Sequence, residues 1–182
     1  MKQSKRANVA ATVAACAASF GAAVLAQGRS AVSLPDGSKS QEGAKNQDGR
    51  WVLPDGTPTY HIGANNTVDW YAYSGFRRYH DAGGCTQCHG PAGEGSTFAP
   101  ALIKSLKTMP YSEFKKIVTN GRKKERSVMP AFAGNRNVMC YVDNIYTYLK
   151  ARSDGVLARR RPPGHDEKPT VANDLERECF GG

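Results

Sequence analysis

Apolar residues recur at helical spacing in three stretches of this chain. Ala72, Gly75, Phe76 and Tyr79 fall at i, i+3, i+4 and i+7 and predict a helix over residues 69–80 with one inward face. Glycine costs helix propensity, so Gly75 on that face implies close approach of another helix. Phe114, Ile117 and Val118 predict a second helix over 111–120, stopped by Gly121. Val138, Val142, Ile145 and Leu149 step by four, three and four and predict a third over 137–151 with a single apolar stripe. At ~100° per residue, Cys140 lies on the face opposite that stripe. Ahead of these helices, Arg50–Leu53 and Thr57–Ile62 read as two extended runs around a Pro54-Asp55-Gly56 turn, a β-hairpin in an N-terminal extension over 50–68. The tetrapeptide Leu-Pro-Asp-Gly occurs at 34–37 and again at 53–56, weak support for a repeat. The pattern predicts an all-α fold: one helical domain over 69–152 and an extended C-terminal tail over 153–182.

The ends of the chain differ from its middle. Lys2, Lys5 and Arg6 precede an uncharged, Ala-rich stretch from Ala7 to Ala26, and Val24-Leu25-Ala26 offers small residues to a signal peptidase. Residues 1–26 are therefore predicted to be a secretory signal cleaved before Gln27. A retained membrane anchor, or lipid attachment at Cys16 after Val13-Ala14-Ala15, are the rival readings of the same residues. Each puts the remainder outside the cytoplasmic membrane, in the periplasm, with membrane contact at most peripheral. Residues 27–49 are rich in Gly, Ser, Asp, Gln and Lys and predict a flexible linker.

Charge narrows the partners. The whole chain carries a formal +9, which becomes +6 without the three cations of residues 1–26. No stretch interleaves aromatic and basic residues in a nucleic-acid pattern, so a protein with an acidic face is the partner that the charge suggests.

The chemistry is concentrated in Cys85-Thr86-Gln87-Cys88-His89, a C-x-x-C-H run, the attachment motif of c-type haem. Two thiols three residues apart at a helix start can face one edge of a porphyrin and add to its vinyl groups, and the next residue, His89, comes under the iron as proximal ligand. A zinc site needs a second pair of ligands at similar spacing, which the sequence lacks. A thioredoxin-like dithiol needs a preceding strand, where this chain has Gly83-Gly84. Haem c, covalently bound, is the expected cofactor.

Two further cysteines, Cys140 and Cys179, remain in an exported chain, which predicts a disulfide between them. For the second axial ligand there are three methionines. Met139 lies in the last predicted helix beside its apolar stripe and reads as packing. Met109 precedes the middle helix, 20 residues after His89. Met129 lies 40 residues after His89 in a stretch without helical pattern, where a loop can carry a thioether over the haem. His61, His80 and His165 are the competing imidazoles.

Helix, C-x-x-C-H, loop, helix, methionine loop and helix is an order that resembles a class I cytochrome c. Val68-Asp69-Trp70-Tyr71-Ala72-Tyr73-Ser74-Gly75-Phe76-Arg77-Arg78-Tyr79-His80 and Asn137-Val138-Met139-Cys140-Tyr141-Val142-Asp143-Asn144-Ile145-Tyr146, with Trp51-Val52-Leu53-Pro54-Asp55-Gly56, narrow the likeness. Over roughly residues 50–180 the chain resembles the four-cysteine c-type cytochromes associated with methanol metabolism. His80 to Cys85 looks longer than usual for that family between helix and haem motif.

The resemblance implies a class I cytochrome c fold around one covalent haem, with the first helix crossing the last at Gly75 near Tyr148. It implies Met129, in a Met-Pro-x-Phe context, as the second axial ligand. The segment Phe98-Ala99-Pro100-Ala101-Leu102 matches the part of such cytochromes where a proline carbonyl accepts the proton of the proximal histidine, which assigns that role to Pro100 and places Leu102 at the haem. Histidine–methionine ligation suits single-electron transfer rather than ligand binding. The implied donor is a periplasmic quinoprotein alcohol dehydrogenase using pyrroloquinoline quinone, and the implied acceptor a cytochrome c or terminal oxidase. A general periplasmic shuttle, and a haem sensor or enzyme with a displaceable methionine, are the rival readings. No acid–base pair or nucleophile is visible, so the expected protein is an electron carrier, not an enzyme.

Overall fold

The computed structural model describes residues 29–81, 83–124 and 127–181. The predicted signal segment, its cleavage point and its rival anchors lie outside the described residues. In chain order the described part comprises strands β1 (Ala31–Ser33), β2 (Lys39–Gln41), β3 (Lys45–Gln47), β4 (Arg50–Val52), β5 (His61–Ile62) and β6 (Thr67–Val68). Helices α1 (Trp70–Asp81), α2 (Cys85–His89), α3 (Leu102–Ser105) and α4 (Tyr111–Asn120) follow. Then come β7 (Arg122–Lys124), β8 (Ser127–Met129), α5 (Arg136–Met139), α6 (Val142–Ser153), β9 (Gly164–His165) and α7 (Thr170–Phe180).

The helical core follows from the apolar stripes. Helix α1 starts at Asp69, whose Oδ1 accepts the Ala72 N–H at 2.9 Å and whose Oδ2 accepts the His61 N–H at 2.8 Å. One carboxylate thus caps a helix and fixes the strand before it. Helix α1 crosses α6 at Gly75, where an added Cβ would lie 1.8 Å from the Asn144 carbonyl oxygen. The crossing point is therefore Asn144–Ile145, one turn before Tyr148. Tyr148 instead packs against Phe76 and Tyr79, with ring centroids 5.6 Å apart in each pair. Leu106, Phe114, Val142 and Leu149 belong to the same buried cluster.

The predicted helix over 137–151 is two helices. Tyr141, at φ −125° and ψ 14°, leaves helical geometry between α5 and α6. Val138 and Val142 are both buried across the break, so the apolar stripe survives while the backbone hydrogen-bond ladder does not.

The expected all-α class and the expected linker over 27–49 are both corrected. Strands β1, β2, β5, β6 and β9 form one sheet in that order, β3 pairs with β4, and β7 with β8. Polar side chains hold the first part of it: Ser40 Oγ donates to the Tyr60 carbonyl at 2.9 Å, and Thr59 Oγ1 to Gln41 Oε1 at 2.7 Å, all of them buried. A composition that is short of apolar residues therefore still builds an ordered layer. The Leu-Pro-Asp-Gly repeat is one turn built twice. Gly37 N–H donates to Leu34 O and Gly56 N–H to Leu53 O, each at 2.9 Å, and Asp36 and Asp55 each accept the N–H two residues on. The predicted hairpin over 50–62 is present around the second copy, with Thr59 N–H bonded to Trp51 O and a bridge between Val52 and Pro58. Its outer halves pair elsewhere, β4 with β3 and β5 with β2 and β6.

The tail over 153–182 is corrected too. Strand β9 adds in parallel to β6, and helix α7 ends beside α5, where Arg136 Nη1 donates to the Phe180 carbonyl at 2.8 Å. The Sγ atoms of Cys140 and Cys179 are 1.97 Å apart, a disulfide that ties α7 to the α5–α6 junction. The N-terminal layer is joined to α6 by Arg50 with Asp143 at 3.1 Å, and by Tyr60 OH donating to Asp154 Oδ2 at 2.8 Å.

Candidate haem site

Helix α2 is a single short turn carrying Cys85, Cys88 and His89. Gly84 precedes it at φ +62°, a conformation that costs glycine nothing and lets the chain turn sharply from α1 into the motif. His89 is buried, and its Nδ1 lies 2.9 Å from the Pro100 carbonyl oxygen. A carbonyl only accepts, so Nδ1 carries the proton and donates, leaving the Nε2 lone pair for another partner. Cys85 is half-buried against the core and burial pushes its thiol pKa up, whereas Cys88 is exposed. Neither takes part in the disulfide, and both lie on one helix turn.

The remaining predicted residues lie on separate elements. Leu102 opens α3 two residues after Pro100 and packs, half-buried, on the core. Met129 ends β8 and packs likewise, as do Met109 and Phe132. The loop after Met129 is fastened to the end of α4, with Phe132 N–H bonded to Val118 O and Ala133 N–H to Thr119 O, each at 3.1 Å. Met139 accepts a long contact of 4.0 Å from Thr119 Oγ1, which fits its reading as packing. The three competing imidazoles are engaged elsewhere. His61 stacks on Trp51 at 4.2 Å, His165 on Tyr73 at 3.8 Å, and His80 Nδ1 donates to the Phe76 carbonyl at 2.8 Å.

Sequence reasoning missed the bonds that hold the motif from behind. Tyr79 OH donates to the Gly90 carbonyl at 2.6 Å, Gly95 N–H to the His89 carbonyl at 2.7 Å, and Ser96 Oγ to the Cys88 carbonyl at 2.5 Å. The apolar periodicity pointed to Tyr79 as packing, and its hydroxyl adds a polar bond to that packing. Among the described residues, no group of three or more His, Cys, Asp or Glu gathers as a metal cluster. The residue types fit haem c: two thiols on one helix turn, an imidazole whose Nε2 the Pro100 bond leaves unused, and a half-buried thioether and apolar side chains on the same core.

The chain is similar to known proteins. A family model for cytochrome c oxidase, cbb3-type, subunit III matches residues 72–149. Cytochrome c-555 of Methylococcus capsulatus (strain ATCC 33009 / NCIMB 11132 / Bath) is 42% identical over 102 residues, which is 56% of this chain and 76% of that protein. The crystal structure of c-type cytochrome XoxG from Methylobacterium extorquens AM1 has a TM-score of 0.71 and 50% identity, over 75% of this chain and 85% of that one. The chain belongs to the class I c-type cytochromes. Cytochrome c-553I of Paracoccus denitrificans is also similar, 45% identical over 140 residues and 75% of this chain. The cytochrome spans only 61% of the length of that relative. As a family member it binds haem c covalently. No helix among its described residues is long and apolar enough to cross a membrane.

Proposed function

We propose that this cytochrome is a periplasmic one-electron carrier. It accepts electrons from a quinoprotein alcohol dehydrogenase of the methanol-oxidising type and passes them to a cytochrome c or terminal oxidase of the respiratory chain. The observation that carries the reading is the His89–Pro100 hydrogen bond on the C-x-x-C-H helix, which fixes the tautomer that an axial ligand needs. Cys85 and Cys88 would hold the haem as thioethers, His89 Nε2 and Met129 Sδ would bind its iron, and Leu102 would pack against it. Haem c supplies reversible one-electron chemistry at its iron. Of the protein's own residues, Pro100 orients the imidazole through its carbonyl, and Met129 would supply the second iron ligand. The likeness to cytochromes of Methylobacterium and Methylococcus supports the choice of donor.

The ribbon β7–β8 is the surface on which the donor docks. Arg122, Lys123 and Lys124 are exposed along one strand, opposite Val128, which is 68% exposed and adjoins Met129. Single-turnover stopped-flow reduction by purified candidate dehydrogenases tests the function. Rapid reduction by a quinoprotein alcohol dehydrogenase is expected, slowing as salt shortens the screening length to ~8 Å. Lys123→Glu with Lys124→Glu should slow it at low salt. No reduction by such an enzyme at any ionic strength would remove this donor.

A further inference from the structure

The loop that follows His89 carries a charge that haem attachment does not need. Glu94 Oε2 accepts the Ala92 N–H at 2.6 Å, while Oε1 faces Arg159 Nη2 at 2.6 Å. The two residues come from distant parts of the chain: Glu94 sits five residues after the proximal histidine, and Arg159 is delivered by the C-terminal tail. The same tail is fixed beside it, since Arg161 Nη2 donates to Tyr73 OH on α1 at 2.7 Å. Glu94 is mostly covered, at 31% exposure, whereas Arg159 is 72% exposed.

The carboxylate is ionised at neutral pH. Burial raises its pKa, but hydrogen bonds from its own and the Ala92 backbone, with Arg159 and Arg152 nearby, outweigh burial and bring it below the ordinary glutamate value. Glu94 belongs to the loop whose Gly95 N–H binds the His89 carbonyl and whose Gly90 carbonyl binds Tyr79. A negative charge held close to an iron centre favours the oxidised, more positive state, and a positive charge favours the reduced one. The covered carboxylate is screened less by solvent than the exposed guanidinium.

We propose that Glu94 and Arg159 are a positioned pair of opposed charges that tunes the haem's midpoint potential: Glu94 lowers it, and the tail's Arg159 offsets that lowering. The inference rests on the proposed ligation by His89. Because Arg159 is exposed, it is also the member of the pair that salt can weaken.

Redox titration of the mature holoprotein with optical detection tests it, using Glu94→Gln, Arg159→Gln and the double variant. Glutamine keeps an oxygen to accept the Ala92 N–H, so Glu94→Gln removes charge without removing the loop's hydrogen bond. Glu94→Gln should raise the potential, Arg159→Gln should lower it, and the double variant should lie between the two. The Arg159→Gln shift should shrink with added salt more than the Glu94→Gln shift. An unchanged potential in either single variant, or shifts of the same sign, overturns the proposal. Should Glu94→Gln fail to assemble, Arg159→Gln decides alone by the same criterion. The axial-ligand signature in the near-infrared spectrum of the wild-type protein reports His89/Met129 ligation separately. Failure of the ligand reading therefore appears in the wild type, and failure of the charge pair only in the variants.

Discussion

Gly75→Ala puts a methyl group where α1 meets α6. The added Cβ would lie 1.8 Å from Asn144 O, 2.4 Å from Asn144 C and 3.0 Å from Ile145 N. Ordinary van der Waals contact begins at 3.4 Å, so the helices must separate by roughly 1.6 Å along that line. The obstacle is backbone, which cannot rotate aside as a side chain can. Separation loosens Tyr79, Tyr148 and Leu149, all buried at this crossing. Overpacking of this kind costs ~1–3 kcal/mol and more where backbone is displaced, against ~1 kcal/mol gained from helix propensity. A net loss of about 2 kcal/mol is expected, from the upper end of that range because the obstacle is backbone, read as a lower denaturation midpoint of the mature holoprotein in guanidinium. Gly134→Ala is the control, because nothing lies within 4 Å of its added Cβ, and its midpoint should barely move. A Gly75→Ala protein as stable as wild type would show that propensity outweighs the crossing and would refute the reasoning.

Three further outcomes are expected. Met129→Ala should abolish the weak far-red band of sulfur-to-iron ligation in the oxidised protein while Met109→Ala keeps it; the reverse result moves the ligand to Met109. Replacing both Cys140 and Cys179, 39 residues apart, by serine should cost about 3–4 kcal/mol by the chain-entropy model, and titration of unfolded, unreduced wild type should find no free thiol. Asp69, pushed up to about 6 by burial, keeps its proton in the fold at pH values where the unfolded chain has released it. Its contribution to stability is therefore present at acid pH and declines as pH rises from ~4 to ~6. The stability of wild type relative to Asp69→Asn should fall over that range, and a flat or rising difference would contradict the assignment.

Much of the core was legible in the sequence because it is built from apolar periodicity. The faces of α1, α4 and α6 follow directly from Ala72, Phe114 and Ile145 with their neighbours. The break at Tyr141 was hidden because a spacing of four between Val138 and Val142 is the same with or without a continuous ladder. Strand β2 left no apolar signal, since Ser40 and Gln41 join it to Thr59 and Tyr60 through buried hydrogen bonds, and β3 is wholly polar. Helix α7 escaped notice for a related reason. Among its residues only Ala172 is buried, and the helix is held by Cys179, by Arg136 on the Phe180 carbonyl and by the Lys168–Glu176 pair at 2.6 Å. At the candidate site, contiguous chemistry was readable: Cys85, Cys88 and His89 form one motif. The hydrogen bond of Tyr79 to Gly90 and the ion pair of Arg159 with Glu94 join residues 11 and 65 positions apart, and no local pattern announces them.

Exposure of the ferrous holoprotein to carbon monoxide tests most directly whether the cytochrome is an electron carrier. With the proposed ligation by His89 and Met129 the iron would have no free position, so the absorption spectrum should not change at saturating gas. A carbon monoxide complex forming promptly at neutral pH would contradict the account and make the site one that binds exogenous ligands.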